Sequence, residues 1–309
     1  MTLTRRGFLA GSSTLGAGLL AAAFSRRSIA DPMGLPVGIQ LYSVSEPLAA
    51  DAPGTLKTLY QIGYREVESV SLGKYSGKEF RKLLDDAGLA CPSAHLRLNS
   101  PEIDLLLETA HALGVQYATT SNLRPSVPPQ AGSPPGTPAT VLLPTPMGLD
   151  GFKKLAQEMN AIGAKVKASG LQYAYHNHNY EFEPVGDGAC GYDVLLKETD
   201  PALVKFEIDC GWMVVAGASP VAYFRNHPGR FRLLHVKDFK QVSAPTTTLY
   251  GPGRPEGEDL GRGFIDYAPI FAAGKAAGIR HVFDEQERPF PVSQLSSARA
   301  NYAFLHSAS

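Results

Sequence analysis

The chain has few cysteines and no net charge, and both features exclude classes of protein. Three cysteines, Cys91, Cys190 and Cys210, stand among 309 residues, and no Cys-x-x-Cys pair indicates a structural zinc site. An odd number leaves at least one thiol unpaired, and buried roles suit Cys91 and Cys210 better than a disulfide. Lysine plus arginine and aspartate plus glutamate number 29 each, so no overall field attracts nucleic acid or an anionic membrane.

The N-terminus lacks an apolar run long enough to cross a bilayer. Arg5 and Arg6 form a twin-arginine pattern, and the apolar run behind them, residues 9–24, is shorter than the ~20 residues of a membrane helix. Ser28-Ile29-Ala30 then resembles a cleavage site. We therefore expect residues 1–30 to be a twin-arginine signal peptide and the mature protein to be periplasmic, without a stable membrane anchor. An uncleaved anchor is the alternative.

A glycine that ends a helical stretch and precedes an apolar strand recurs at Gly63, Gly88, Gly114, Gly170 and Gly278. Glycine tolerates the left-handed backbone at a helix end, so this pattern predicts repeated αβ turns and parallel strands. We place eight strands near residues 37–42, 65–68, 91–95, 115–119, 171–176, 204–209, 231–236 and 280–285, with helices such as 55–62, 77–87 and 102–113 between them. Residues 31–309 are therefore predicted to form a single-domain (β/α)8 TIM barrel.

Two long segments rich in proline and glycine follow the fourth and seventh predicted strands, at residues 123–146 and 239–263. Loops at this end of a barrel usually shape access to the active site. A disordered insertion is the other interpretation.

The last four predicted strands each end in polar residues. The segments are residues 173–181, 206–209, 233–238 and 281–285. Because the carboxyl ends of barrel strands meet at one rim, we expect their carboxylates and imidazoles to form a cage for one divalent cation.

Strand alternation ranks the candidate ligands. Glu207 and Asp209 share a face and Asp209 lies nearer the strand end, so Asp209 is a predicted ligand, with a helix cap or buried ion pair as the alternative. Glu207 is expected to pair deeper in the barrel with Lys205 or Lys237. His235 and Glu285 are further predicted ligands.

The fifth strand leaves its ligand open between His176 and Glu181. His176 and His178 share one face if the strand is regular, whereas Glu181 needs a turn after Asn177 to reach the metal. Glu181 would make a site of three carboxylates, suited to Mn²⁺ or Mg²⁺, and His176 would favour Zn²⁺.

Polar residues of the other strands are predicted to line the same cavity. They are Gln40, Tyr42, Glu68, His95 and Arg97. Lys237 is expected to contact a substrate oxyanion. Trp212 is expected either to stack on a sugar ring or to serve only in packing.

Together these motifs resemble the sugar phosphate isomerase/epimerase family, which has a xylose isomerase-like TIM barrel and also contains endonuclease IV and inosose dehydratases. The matching segments are residues 38–43, 66–68, 94–95, 175–182, 208–212, 235–238, 261–266 and 285–287. The resemblance implies one divalent metal ion, Mn²⁺, Mg²⁺ or Zn²⁺, held by Glu181, Asp209, His235 and Glu285. His176 stands where better-known epimerases place the glutamate of the fifth strand.

The resemblance also implies a reaction. The metal would chelate the carbonyl and hydroxyl oxygens of a sugar, and Glu181 and Glu285 would move a proton through an enediolate. We expect Glu181, Glu285, His176 and Lys237 to be catalytic, and Gln40, Glu68, His95, Trp212 and His178 to bind a sugar or keto-sugar. The first hypothesis is an isomerase or epimerase. A keto-sugar or keto-glycoside lyase or dehydratase is the main alternative, ahead of a periplasmic sugar-binding protein and an endonuclease IV-like enzyme.

Overall fold

Eight parallel strands close into a barrel in which each strand pairs with its neighbours in sequence and the last pairs with the first. They are Val37–Gln40 (β1), Glu66–Ser69 (β2), Ala90–His95 (β3), Tyr117–Ser121 (β4), Gln172–His176 (β5), Val204–Asp209 (β6), Phe231–Val236 (β7) and His281–Asp284 (β8). This computed structural model describes residues 32–121, 123, 126–127, 141–142 and 146–307. The predicted TIM barrel is confirmed, with β4 two residues later than expected.

Helices connect the strands on the outside of the barrel. They are Ser45–Ala50 (α1), Ala52–Ile62 (α2), Gly77–Ala87 (α3), Ile103–Leu113 (α4), Gly148–Ala168 (α5), Gly191–Glu198 (α6), Cys210–Val215 (α7), Pro220–Asn226 (α8), Ala268–Ala277 (α9) and Gln294–Ser307 (α10). Gly88, Gly114 and Gly278 end α3, α4 and α9 with left-handed backbone, as the αβ pattern predicts. No helix in the described residues is long and apolar enough to span a membrane.

The interior of the barrel is apolar in its middle and polar at the rim formed by the carboxyl ends of the strands. Ala174, Leu233 and Phe283 pack together inside the barrel. A Cβ on Gly38 would lie 2.5 Å from the Phe283 ring, so glycine is needed there for the ring to fit. Alternation along β5 and β7 then places His176 and His235 on the same inward face, one step closer to the rim.

Three short two-stranded antiparallel sheets lie outside the barrel sheet. They pair Ser126–Val127 with Val141–Leu142, Pro184–Gly186 with Ala189–Cys190, and Asp238–Phe239 with Gly257–Glu258. All three cysteines are free, and Cys91 and Cys210 are buried as expected. The predicted signal peptide, residues 1–30, and most of the 123–146 loop lie outside the described residues.

Candidate metal and substrate site

Four side chains from neighbouring strands converge at the carboxyl end of the barrel. His176 ends β5, Asp209 ends β6, His235 lies near the end of β7 and Glu285 follows β8. One ligand atom from each lies within 4.8 Å of the others, and all four residues are buried. The structure therefore brings Asp209, His235 and Glu285 together, as expected, with His176, one of the two alternatives for the fifth strand.

Glu181 lies apart from this group, which differs from the ligand set that the family resemblance implies. After β5 the chain enters a short 3-10 helix, Tyr180–Phe182. The Tyr175 hydroxyl then donates to Glu181 Oε1 at 2.7 Å, and the His178 amide donates to Oε2 at 2.9 Å. Because Tyr175 is on the outer face of β5, the turn directs Glu181 away from the rim.

Burial favours the protonated form of the Glu181 carboxyl group. Its side chain has no solvent exposure. Burial raises the pKa of Glu181 to about 7, although the hydrogen bonds from Tyr175 and His178 lower it.

Asp209 has the cap and ion-pair contacts that its alternative interpretation predicted. Its Oδ1 accepts the Trp212 amide at 2.8 Å and caps α7, while Oδ2 lies 2.9 Å from Lys237 Nζ. The Asn177 side chain exchanges hydrogen bonds with the Asp209 backbone at 3.0 and 3.2 Å, which joins the ends of β5 and β6. Burial raises the pKa of Asp209 to about 6, although Lys237 lowers it. The cap leaves Oδ2 facing the cluster.

Lys237 lies beneath the rim among carboxylates and does not line the cavity, in contrast to the expected oxyanion contact. Its Nζ contacts Asp209, Glu285 and Glu287, the last at 3.0 Å. Although burial opposes it, these carboxylates raise the pKa of Lys237 well above its usual value. The ammonium therefore balances buried negative charge.

A second layer of carboxylates lies deeper in the barrel. Glu207 Oε2 is 2.8 Å from His95 Nε2 and 3.0 Å from His176 Nδ1, so its partners are imidazoles rather than the expected lysines. Glu68 Oε2 accepts the Gln40 amide at 2.9 Å and is 2.7 Å from His235 Nε2. Glu68, a predicted substrate contact, is fully buried and does not line the cavity.

A cavity of about 210 Å³ opens above the cluster. It is lined by Gln40, Tyr42, Val70, His95, Ser121, His176, His178, Trp212, Leu249, Tyr250, Arg254, Glu285 and Glu287. Of the predicted wall, Gln40, Tyr42 and His95 reach it, whereas Arg97 is not among the lining residues. Burial lowers the pKa of His178 to about 3, so it presents a neutral imidazole.

The contacts of Trp212 fit the packing alternative. Its indole is fully buried and packs on Phe239 with ring centroids 4.7 Å apart. Lys237 Nζ and Arg254 Cζ lie 5.3 and 5.5 Å from the ring centroid, within cation–π range. The indole therefore supports two cations at the site.

The loop after β7 is ordered by Asp238, whose carboxylate accepts four backbone amides. The donors are Phe239, Gly261, Gly263 and Ile265, at 2.9 to 3.3 Å. The loop carries Leu249, Tyr250 and Arg254 to the cavity, and Arg254 pairs with Glu287 at 2.6 Å. Sequence reasoning missed Arg254 and Glu287, and the only signal for either was the Glu285-Gln286-Glu287 motif.

The donor set of the cluster fits a divalent metal ion. Two imidazoles and two carboxylates are ligand types that Zn²⁺, Mn²⁺ and related ions accept. The atoms lie close together in a buried setting at the base of a cavity.

Comparisons with known proteins agree with this architecture. A family profile described as a xylose isomerase-like TIM barrel matches residues 56–285. An inosose dehydratase from Lacticaseibacillus casei is 28% identical over 138 residues, which cover 42% of this chain and 44% of that protein. The chain is thus matched to less than half the length of that relative.

Solved structures extend the likeness over nearly the whole barrel. A sugar phosphate isomerase/epimerase from Parabacteroides distasonis ATCC 8503 is 26% identical, with a TM-score of 0.67 and coverage of 88% of this chain and 94% of that chain. A xylose isomerase-like TIM barrel protein from Mycobacterium smegmatis, in complex with magnesium, is 15% identical, with a TM-score of 0.60 and coverage of 90% and 97%. The IOLI protein with a bound zinc atom is 14% identical, with a TM-score of 0.62 and coverage of 88% and 98%. The last two show the shared fold.

Proposed function

Because this chain belongs to the xylose isomerase-like TIM barrel family, we propose that it is a divalent-metal-dependent enzyme that removes a proton beside the carbonyl group of a sugar or keto-sugar. One observation carries the proposal. His176, Asp209, His235 and Glu285 present ligand atoms within 4.8 Å of one another at the base of an open cavity. In this proposal His176, and not Glu181, is the ligand from the fifth strand.

The residues around the metal have separable tasks. When bound, the ion would polarise a substrate carbonyl and acidify the adjacent C–H bond. Glu285 lines the cavity, and although burial opposes it, Lys237 and His235 hold the pKa of Glu285 well below its usual value. Its carboxylate is therefore ionised, and its place on the cavity wall makes it the proton acceptor of this proposal. Gln40 and neutral His178 offer hydrogen bonds for substrate hydroxyls.

The position of Glu181 bears on the reaction type. Epimerisation at one carbon needs proton transfer groups on both faces of that carbon, and the Glu181 and Glu285 pair does not supply them because Glu181 points away from the rim. One base suffices to move a proton between adjacent carbons or to expel a β-hydroxyl group. We therefore favour isomerisation, with dehydration as the second candidate, which the similarity to an inosose dehydratase supports.

Exchange in D₂O tests the proposal. A panel of free, phosphorylated and keto-sugars, incubated with Mn²⁺-, Mg²⁺- or Zn²⁺-loaded protein, should yield a metal-dependent product with deuterium beside the carbonyl. Unchanged composition indicates isomerisation, and loss of water indicates dehydration. Asp209→Asn should remove metal binding and activity while circular dichroism shows a folded barrel. No metal-dependent conversion of any panel member would overturn the proposal.

We also propose that the enzyme acts in the periplasm after export. The support is the twin-arginine pattern at Arg5 and Arg6 together with the Ser28-Ile29-Ala30 site. Export of folded protein by this route is compatible with a metal acquired before translocation.

A further inference from the structure

Both candidate histidine ligands direct one ring nitrogen to the rim cluster and the other to a carboxylate below it. His176 Nε2 lies 3.8 Å from Asp209 Oδ2, and its Nδ1 lies 3.0 Å from Glu207 Oε2. His235 shows the opposite orientation. Its Nδ1 lies 3.0 Å from Glu285 Oε2, and its Nε2 lies 2.7 Å from Glu68 Oε2.

Both lower carboxylates are held by polar contacts, which for Glu207 are made through Oε2, because its Oε1 has no hydrogen-bond partner among the described residues. Glu68 and Glu207 have no solvent exposure, so water does not compete for their oxygens. Gln40 and Ser93 donate to Glu68. His95 Nε2 lies between the two carboxylates, 3.1 Å from Glu68 and 2.8 Å from Glu207. Each carboxylate therefore meets its histidine in a fixed geometry.

We infer that Glu207 and Glu68 are positioning residues that select opposite tautomers of the two histidines, so that the metal meets Nε2 of His176 and Nδ1 of His235. This inference rests on the proposed metal site. A neutral imidazole has one N–H donor and one lone pair, and an ionised carboxylate only accepts. The N–H of His176 is therefore fixed at Nδ1 by Glu207. His235 has carboxylates at both ring nitrogens, and because Glu285 is itself a ligand in the proposed site, the N–H of His235 belongs at Nε2, which faces Glu68 at 2.7 Å. The remaining lone pairs both face the rim.

The different nitrogens follow from where the carboxylates originate. Glu207 comes from β6, which pairs directly with β5, and the register places Glu207 beside His176. Glu68 comes from β2, across the barrel from β7. The two imidazoles are thus oriented from different sides, and the ring planes of His176 and His235 differ by 63°. Glu207 Oε2 also lies 3.3 Å from His235 Nε2, so Glu68, at 2.7 Å, is the closer of two lower carboxylates at that ring nitrogen.

Metal affinity of variants gives the first test. In Glu207→Gln and Glu68→Gln an amide replaces the carboxylate and can offer either a donor or an acceptor, so the tautomer is no longer fixed. Zinc affinity, measured by competition with a chromophoric chelator, should fall roughly 10- to 100-fold. Glu66→Gln is the matched control, because Glu66 contacts His281 Nδ1 at 2.9 Å lower in the barrel, away from the ligands. Its zinc affinity should stay within twofold of wild type.

Imidazole ¹⁵N NMR of the zinc-loaded wild-type protein gives the second test and needs no variant to fold. We expect one histidine bound through Nε2 with a protonated Nδ1, and one bound through Nδ1 with a protonated Nε2. Two bound histidines of the same tautomer, or full zinc affinity in both lower-layer variants, would overturn the inference while leaving the metal site intact. A wild-type protein that binds no zinc, manganese or magnesium would overturn both the inference and the proposed function.

Discussion

Replacing Glu181 with glutamine should change how the stability of the protein depends on pH. The carboxyl group is fully buried against Tyr175 and the His178 amide, and burial raises its pKa from 4.5 to about 7. One pKa unit corresponds to about 1.36 kcal/mol. The shift of Glu181 therefore corresponds to roughly 3 kcal/mol between the two protonation states.

The direction follows from proton binding. Below pH 4.5 the carboxyl group is protonated in both folded and unfolded chains, and its contribution to stability is fully present. As the pH rises through the folded pKa of about 7, the unfolded chain has already lost this proton and the folded chain must bury the charge. The wild-type protein thus loses this contribution between about pH 4.5 and 7, whereas glutamine does not titrate.

Urea unfolding of both proteins at several pH values between 4 and 8, with a chelator present, measures the effect. The two oxygens of Glu181 accept from Tyr175 and from the His178 amide, whereas glutamine has only one acceptor oxygen. The NH₂ group of the glutamine would therefore face the His178 amide, and we expect this to lower the free energy of unfolding by about 1–3 kcal/mol at every pH. On top of that constant, the stability of Glu181→Gln relative to wild type should rise by roughly 3 kcal/mol from the lowest to the highest pH.

A matched control reverses the sign. The capping box with Ser76 lowers the pKa of Glu79, so Glu79→Gln should gain relative stability as the pH falls. A stability difference between Glu181→Gln and wild type that is constant with pH would refute the burial argument. The variant should also retain the metal affinity of wild type, and loss of metal would instead support Glu181 as the fifth-strand ligand.

Two further predictions concern the loop and the N-terminus. In Asp238→Asn one carboxylate oxygen becomes an NH₂ group that faces backbone amides, so we expect the free energy of unfolding to fall by about 1–3 kcal/mol. We also expect faster proteolysis within residues 240–260 and a higher KM. A proteolysis rate equal to that of wild type would contradict the role of Asp238 in anchoring the loop. Changing Arg5 and Arg6 together to lysine should keep the protein in the cytoplasmic fraction of an expressing bacterium with a functional twin-arginine system, and unchanged periplasmic recovery would rule out that route.

Strand periodicity in the sequence was enough to predict the barrel and the convergence of Asp209, His235 and Glu285 at its rim. A side chain's face follows from alternation, and the end of each strand was marked by the change from apolar to polar residues, as at Asp209 and Glu285. Glycines at helix ends located the strand starts to within two residues. These are local signals, so one sequence suffices to interpret them.

Local sequence patterns could not predict which residue of the fifth strand joins the cluster. Whether His176 or Glu181 faces the rim is decided by the backbone after Asn177, and the hydroxyl of Tyr175 contributes to that choice. The pairing of Glu207 with His95 is equally hidden, because 112 positions separate the two residues and only barrel closure brings them together. Lysines were the expected partners of Glu207, because a buried contact between a carboxylate and a distant imidazole leaves no recognisable pattern in the sequence.

The segment from Asp209 to Trp212 shows how the cluster and the fold depend on the same residues. Asp209 must cap α7 through Oδ1 for Oδ2 to face Lys237 and the ligand group. A Cβ on Gly211 would collide with the Lys237 side chain, so glycine is what allows the lysine to cross the first turn of α7. Trp212 supplies the capped amide and places its indole 5.3 Å from Lys237 Nζ. Each residue thus fixes either the orientation of the Asp209 carboxylate or the position of the cation that balances it. A substitution at Gly211 or Trp212 would therefore affect the candidate metal site without altering any of its four candidate ligands.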